Sequence, residues 1–481
     1  MYAGKKRSAE MKKHESECQE LHVTQENDAA FGEHALVGLS PELVRNIHDN
    51  ALVVDTHNDV LMNVVDDTTW LPVESIGAQL STGYRHLDIP KMHAGGLDVA
   101  FFAAYVPGYL EPGRSNSRIL ALINALHWNA VINKETFAIA VSSSEIYEMS
   151  KDRKVGVLSI EGAYSLEEYN YKELLRQYYD LGVRMITLCW SNSNSLGEGV
   201  RNAYVDRTPS SGGLTALGAK VIEEMDRLGI IIDVSHMNHN TFWGAVAVAK
   251  GPVIASHSCV SAIHDVPRNL NDDQIRAIAK SGGVVQINFF PTFLGPVGRN
   301  GLEELVNHID YVVRLVGVEH VGLGSDFDGA DMPPDIPNAA YCYKITEQLV
   351  NRGYTKAEIE KILGLNIMRV LKEVETQARK VDETGGIAIV PDLPSGEQVS
   401  VVTPLLRAFV PNNEITVDIS GFKVFIDGIE YAPEFNSITG ILSYQVQRPL
   451  VEKFHVVTFE GKSLNGAITR ETRVFYKNTP H

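Results

Sequence analysis

The chain has 481 residues, and its 60 acidic residues against 43 Lys and Arg give a formal net charge of −17 at pH 7. That length leaves room for a large core and favours more than one domain, one of them compatible with an α/β barrel. The acidic balance, with no long basic run to track phosphates, excludes nucleic acid as an expected partner.

Cys18, Cys189, Cys259 and Cys342 are scattered and form no CxxC pair, so they read as reduced thiols. The opening stretch MYAGKKRSAEMKKHESECQE lacks the apolar core of a secretory signal, and no run of about 18 apolar residues suggests a membrane span. A soluble, cytoplasmic protein is expected.

Residues 1–45 form a polar N-terminal arm without sustained periodicity. From Ala51 onward, short β-branched runs alternate with segments of helical period. Eight strands are predicted: ALVVDTH (51–57), LDVAFFAAY (97–105), KVGVLSIE (154–161), GVRMITLCW (182–190), GIIIDVSH (229–236), GPVIASH (251–257), GGVVQINF (282–289) and HVGLGSDF (320–327). Amphipathic stretches such as SRILALINALHWNAVI and LEELVNHIDYVVRLVG lie between them. Eight strand–helix units predict a TIM (β/α)8 barrel over residues 46–385. Residues 386–481 change character, with EITVDIS, FKVFIDGIEY, GILSYQV, FHVVTFEG and TRVFYK separated by turn residues and an Asp427-Gly428 hairpin signal. They predict a small antiparallel β-sandwich, immunoglobulin-like but without the Cys–Trp–Cys spacing of that fold.

In VVDTHNDVL, side chains alternate across the strand, so Asp55, His57 and Asp59 share a face as long as the backbone stays extended. His57 and Asp59 fall at the C-terminal end of the first predicted strand, where barrel active sites are built. Glu161 ends the third strand, His236 the fifth and His257 the sixth, and Asp326 follows the eighth. Singly, each has a bland reading: Glu161 holding a loop amide, the histidines satisfied in a core, and Asp326 with Asp328 organising the SDFDG turn. Jointly they converge on one rim, and unpaired buried ions cost several kcal/mol each, whereas metal ions would compensate the cluster. Imidazole plus carboxylate suits zinc, with manganese or another divalent ion as the alternative. Five ligands serve two ions only if a carboxylate bridges, and Glu161 is the natural bridge.

At these residues the chain resembles the membrane (renal) dipeptidase family of amidohydrolase-like metal-dependent hydrolases. DTHNDVL, HLDIPKMHAGGLDVAFF, LSIEGAYSL, LGVRMITL, GLTALGAKVIEEMDRLGIIIDVSHMN, ASHSCV, VPRNL, GLGSDFDG and LGLNIMRVL carry the likeness in order over roughly residues 48–375. The resemblance implies a binuclear zinc dipeptidase, with one ion on His57, Asp59 and Glu161 and the other on Glu161, His236 and His257. Asp326 then matches the family's proton-transfer carboxylate, and Arg268 matches the residue that holds the dipeptide's terminal carboxylate. Where family members often carry histidine after the fourth strand, this chain has Trp190, whose indole N–H donates one hydrogen bond but cannot become a cation. Packing at the rim is the equal alternative for Trp190.

The expected reaction is hydroxide attack on the scissile carbonyl, generated by metal, with Asp326 passing the proton to the leaving amine. Dipeptide substrates follow, including those with a C-terminal D-residue, and family precedent adds a homodimer. Two rival readings stand beside this one: another amidase or lactonase using the same metals, and a non-catalytic binding protein stapled by them.

Overall fold

The computed structural model describes residues 39–78, 85–378, 386–411, 421–464 and 466–477. Its core is a ring of parallel strands: β1 (Val54–Asn58), β2 (Val99–Tyr105), β4 (Lys154–Glu161), β5 (Val183–Thr187), β6 (Ile231–Asp233), β7 (Val253–Ser258), β8 (Val285–Ile287) and β9 (Val321–Leu323). The ring closes where Asp326 N–H donates to His57 O (3.0 Å) and Asp59 N–H donates to Phe327 O (2.8 Å). This is the expected TIM barrel, and each of the eight strands corresponds to one predicted run. A further strand, β3 (Phe137–Ile139), lies outside the ring and pairs with the start of β4. Its three residues are too few to show a strand period.

The predicted ends of β2 and β4 coincide with the observed ones, whereas the predicted runs overshot the C-terminal ends of β5, β6, β8 and β9. The apolar run continues there because the rim itself is covered: Leu188 and Cys189, past the end of β5, are fully buried. Helices Pro112–Ile132, Ala216–Leu228, Asp272–Lys280 and Leu302–Val316 occupy the expected amphipathic stretches. Helix Pro41–Asp49, capped by Ser40, spans the expected end of the N-terminal arm; it docks through buried His48, whose Nδ1 lies 2.7 Å from Thr346 Oγ1. The rest of the arm, Cys18 included, lies outside the described residues.

The C-terminal region forms two facing sheets. One runs β10 (Val390–Pro391), β12 (Leu405–Phe409), β16 (Ile441–Gln445), β15 (Glu434–Asn436); the other runs β11 (Glu397–Val399), β18 (Ile468–Lys477), β17 (Phe454–Lys462), β13 (Lys423–Ile426), β14 (Ile429–Tyr431). Leu406, Ala408 and Leu442 from the first meet Val424, Val457, Phe459 and Phe475 from the second in a shared core. Pairing is antiparallel except for β11 along β18. Asp427 (φ 51°) and Gly428 (φ 80°) make the left-handed two-residue turn joining β13 to β14 that the Asp-Gly step predicted. The predicted strand EITVDIS lies outside the described residues.

This sandwich is docked on the barrel. Gln177, fully buried on helix Tyr171–Asp180, accepts from Gly428 N–H (2.8 Å) and donates to Phe425 O (3.2 Å) and Thr458 Oγ1 (3.1 Å). Phe454 N–H donates to Ser117 Oγ at 2.8 Å. Beside the rim, Lys453 Nζ donates to Thr68 O and sits over the Trp70 ring at 4.6 Å, where Arg114 and Arg118 also stack.

Candidate metal centre and substrate cleft

β1 stops at Asn58, so Asp59 reaches the rim through a bend (φ −110°, ψ 20°) into the short helix Val60–Asn63 and not by continued alternation. His57 points into the same space from within the strand. Asp55 does not join them: its carboxylate accepts Ser325 N–H (2.6 Å) and Ser325 Oγ–H (2.8 Å), tying β1 to the segment after β9.

Glu161, at the end of β4, faces two ways. Its Oε1 lies 2.9 Å from His236 Nε2 and 3.5 Å from His257 Nε2, while Oε2 lies 3.7 Å from His57 Nε2. On the His57 side, Asp59 Oδ2 is 3.4 Å and Asp326 Oδ1 3.9 Å from the same Nε2. The ligand atoms of His57, Glu161 and His257, and separately those of His57, Asp59 and Asp326, lie within 4.8 Å of one another. His236 and Asp326 are held in the left-handed region, at φ 66° and 65°, a cost of roughly 1–3 kcal/mol each that the surrounding contacts must offset.

The donor chemistry fits divalent cations. Buried His57 Nε2 and Asp59 Oδ1 have no hydrogen-bond partner. Ser256 Oγ gives its proton to Asp233 Oδ2 (2.6 Å) and so accepts from His257 Nδ1 (2.7 Å), which leaves His257 Nε2 with its lone pair free. That lone pair faces His236 Nε2 at 2.8 Å, where it accepts a His236 Nε2–H or, with His236 in the other tautomer, turns with it to a shared cation. Titration tells the same story. Burial opposes charge on His57, yet Glu161, Asp59 and Asp326 around it drive its pKa up to about 10. Burial, with Arg268 and His57 nearby, pushes His236 and His257 well below the usual imidazole range, and burial lifts Glu161 well above the carboxylate range. Three carboxylates are gathering positive charge onto the one imidazole they surround.

A cavity of about 670 Å³ opens over this cluster, lined among others by Tyr105, Trp190, Arg268, Phe290 and Phe293. Arg268 is 4% exposed and follows β7; Nη1 donates to Ser258 Oγ (3.3 Å) and Nη2 to His257 O (3.2 Å), while Nε–H is unpartnered. Phe293 lies 5.3 Å beneath the guanidinium. Trp190 meets the Tyr105 edge at 5.3 Å and tilts over His236 at 5.9 Å, forming one wall.

The structure therefore brings His57, Asp59, Glu161, His236, His257, Asp326, Arg268 and Trp190 to one cleft. Asp328, read as a turn former, instead ties the SDFDG segment to a distant one: its oxygens accept His86 N–H (2.8 Å) and Leu87 N–H (3.1 Å), and its own N–H donates to His86 Nδ1 (2.9 Å). Sequence reasoning missed Asp233, Tyr105 and Asn288, which sat inside predicted strands and carried no separate signal. Gly329 also escaped notice. A Cβ there would collide with Asp59 Oδ2 and Asp326 Oδ1.

A (β/α)8 barrel whose C-terminal rim gathers imidazoles and carboxylates beside a buried arginine is the architecture of a metal-dependent hydrolase. A profile of the membrane dipeptidase family, peptidase family M19, matches residues 42–385, and the chain belongs to that family. An uncharacterized dipeptidase of Schizosaccharomyces pombe is 31% identical over 368 residues, covering 72% of this chain and 86% of its own. Dipeptidase verJ of Clonostachys rogersoniana is 29% identical over 353 residues, 69% of this chain and 87% of that one. Among solved structures, a metallopeptidase of Rhodobacter sphaeroides bound to a phosphinate mimic of L-Ala-D-Ala is 28% identical, with a TM-score of 0.60 over 67% of this chain and 99% of its own. The probable dipeptidase PvdM of Pseudomonas aeruginosa is 25% identical, with a TM-score of 0.61 over 70% and 100%. The chain is a metallodipeptidase by family. Among the described residues, no helix is long and apolar enough to cross a membrane.

Proposed function

We propose that this protein is a binuclear zinc dipeptidase that requires a free carboxylate next to the scissile bond and accepts a D-residue on that side. The observation that carries the reading is the division of Glu161, with Oε1 turned to His236 and His257 and Oε2 to His57. One ion would sit among His57, Asp59 and Glu161, the other among Glu161, His236 and His257. Bound there, the ions would lower the pKa of the attacking water towards about 7 and polarise the scissile carbonyl.

The chain's own residues do the rest. Arg268 has an unspent N–H in a buried setting and binds the substrate carboxylate, which a planar fork suits. Asp326 accepts the water proton and delivers it to the departing amine. Tyr105 and Trp190 wall the cleft against bulk water. Acceptance of a D-residue is supported by the stereochemistry of the mimic bound to the Rhodobacter relative. The buried free thiols of Cys189, Cys259 and Cys342 favour a reducing compartment, the cytoplasm.

The test is hydrolysis of L-L and L-D dipeptides by purified protein before and after chelation and zinc restoration, with metal content measured on the same samples. Zinc-restorable cleavage at about two ions per chain is the expected result. Two bound ions without dipeptide cleavage would move the activity to another amide or lactone, and absence of bound metal would overturn the centre itself.

A further inference from the structure

Asn288, the first residue past β8, is fully buried behind the cleft. Its Nδ2 donates to Asp326 Oδ2 at 2.9 Å, and its Oδ1 accepts Phe290 N–H at 2.6 Å. An amide engaged at both ends has one orientation, because the oxygen must meet the Phe290 N–H and the nitrogen is thereby aimed at Asp326. Its backbone is pinned as well, with Asn288 N–H on Ser258 O (3.4 Å) and Asn288 O accepting from Cys259 Sγ (3.3 Å). Across the contact, Asp326 is fixed by its own N–H on His57 O (3.0 Å) in a left-handed backbone. Its Oδ1 turns the other way, towards His57 and Asp59. The two oxygens of this carboxylate therefore have different surroundings: Oδ2 is committed to an amide, and Oδ1 faces the reacting centre.

We propose that Asn288 is a positioning residue for proton transfer, which confines the travelling proton to Asp326 Oδ1. The inference rests on the reading of Asp326 as the proton shuttle. A proton on Oδ2 would point into the Nδ2–H donor across a 2.9 Å gap, whereas a proton on Oδ1 leaves that hydrogen bond intact. The amide cannot surrender its own hydrogen, so it orients without competing as an acid. In the first half of the reaction, water oxygen bonds to the carbonyl carbon as its proton moves to Oδ1. In the second half the C–N bond breaks, the Oδ1 proton passes to the amine nitrogen, and the carboxylate is regenerated. Phe290 lines the same cleft, so one amide sets both the shuttle and the start of the wall.

The experiment compares N288A, N288D, D326N and the N288A/D326N double variant in the zinc-loaded full chain, with dipeptide kcat and KM, zinc content and thermal melting. N288D is near-isosteric and keeps an acceptor for Phe290 N–H while replacing the fixed amide donor with a second carboxyl that shares a proton with Asp326, so that Oδ2 is no longer barred to it. Both single changes at Asn288 are expected to lower kcat about 10²-fold with KM within about 3-fold, and N288D to keep its zinc and its melting temperature. In the D326N background, N288A is expected to add less than about 3-fold, since it acts through a group already removed. Wild-type kcat in N288D, an effect confined to KM, multiplicative losses in the double variant, or loss of zinc in both Asn288 variants each overturns the proposal. Undiminished turnover in D326N overturns the shuttle reading itself, and D326N inactive beside fully active Asn288 variants overturns only this inference.

Discussion

Replacing Arg268 with alanine is expected to abolish the preference for a free substrate carboxylate. The guanidinium is 4% exposed and gives two N–H groups to Ser258 Oγ and His257 O, which leaves Nε–H among the donors without a protein partner. A charge-assisted hydrogen bond in such a setting contributes about 1.5–3 kcal/mol. Two made to one carboxylate, after the cost of desolvating it, come to about 3–4 kcal/mol, or between about 10²- and 10³-fold in kcat/KM. The assay is kcat/KM for a dipeptide and for its C-terminal amide with both enzymes. Wild type should prefer the acid by that factor, and R268A should treat the two nearly alike. Zinc content serves as the control, because Arg268 also touches the carbonyl of His257. If R268A slows acid and amide by the same factor, Arg268 supports the cleft without reading the carboxylate, and the reasoning fails.

Chelation of the purified protein is expected to lower its melting temperature and zinc to restore it, since ions held at 100 to 1,000 times their Kd stabilise by about 3–4 kcal/mol; an unchanged melting curve after verified metal removal would count against a buried centre. Burial lowers the pKa of His308 to about 4, and its neutral ring accepts from Val260 N–H and donates to Leu294 O. The unfolded chain therefore binds a proton between about pH 6.5 and 4 that the folded chain refuses, so this contribution of about 3 kcal/mol is present above pH 6.5 and is lost as pH falls to 4. H308Q, compared with wild type by urea unfolding across that window, should show a flatter pH dependence; parallel slopes would refute it. Gln177→Ala strands Gly428 N–H and Phe425 O in the domain contact and should cost about 2–4 kcal/mol without changing kcat/KM, as read by unfolding and by steady-state rates. A loss of activity larger than the loss of fold would place the sandwich in catalysis.

The barrel was legible because parallel strands buried on both faces write continuous β-branched runs, and GIIIDVSH or KVGVLSIE has no other good reading. The end of β5 was not legible, since Leu188 and Cys189 are buried past it and look the same as residues buried by a sheet. The company kept by the rim residues followed from their shared position at strand ends. Their partners did not. Asp233 within β6 and Asn288 just past β8 act through tertiary contacts with Ser256 and Asp326, which no local pattern encodes. Asp59 arrives by a backbone bend, where alternation alone would have kept it extended. The parallel alignment of β11 with β18 was equally hidden, because nearly 70 residues separate them and β11 has only three.

The brace of Lys453 on Thr68 and Trp70 has a consequence for biosynthesis. It steadies the loop that starts at Asp59, yet it is encoded far downstream of His257, the last of the five candidate ligands. On a ribosome adding about 5–20 residues per second, the intervening stretch of roughly 200 residues takes roughly 10–40 s. During that interval every candidate ligand has been translated while the first rim loop still lacks its brace. The order of synthesis thus separates the making of the ligand set from the finishing of the rim, and a nascent chain halted before the sandwich would carry the first without the second.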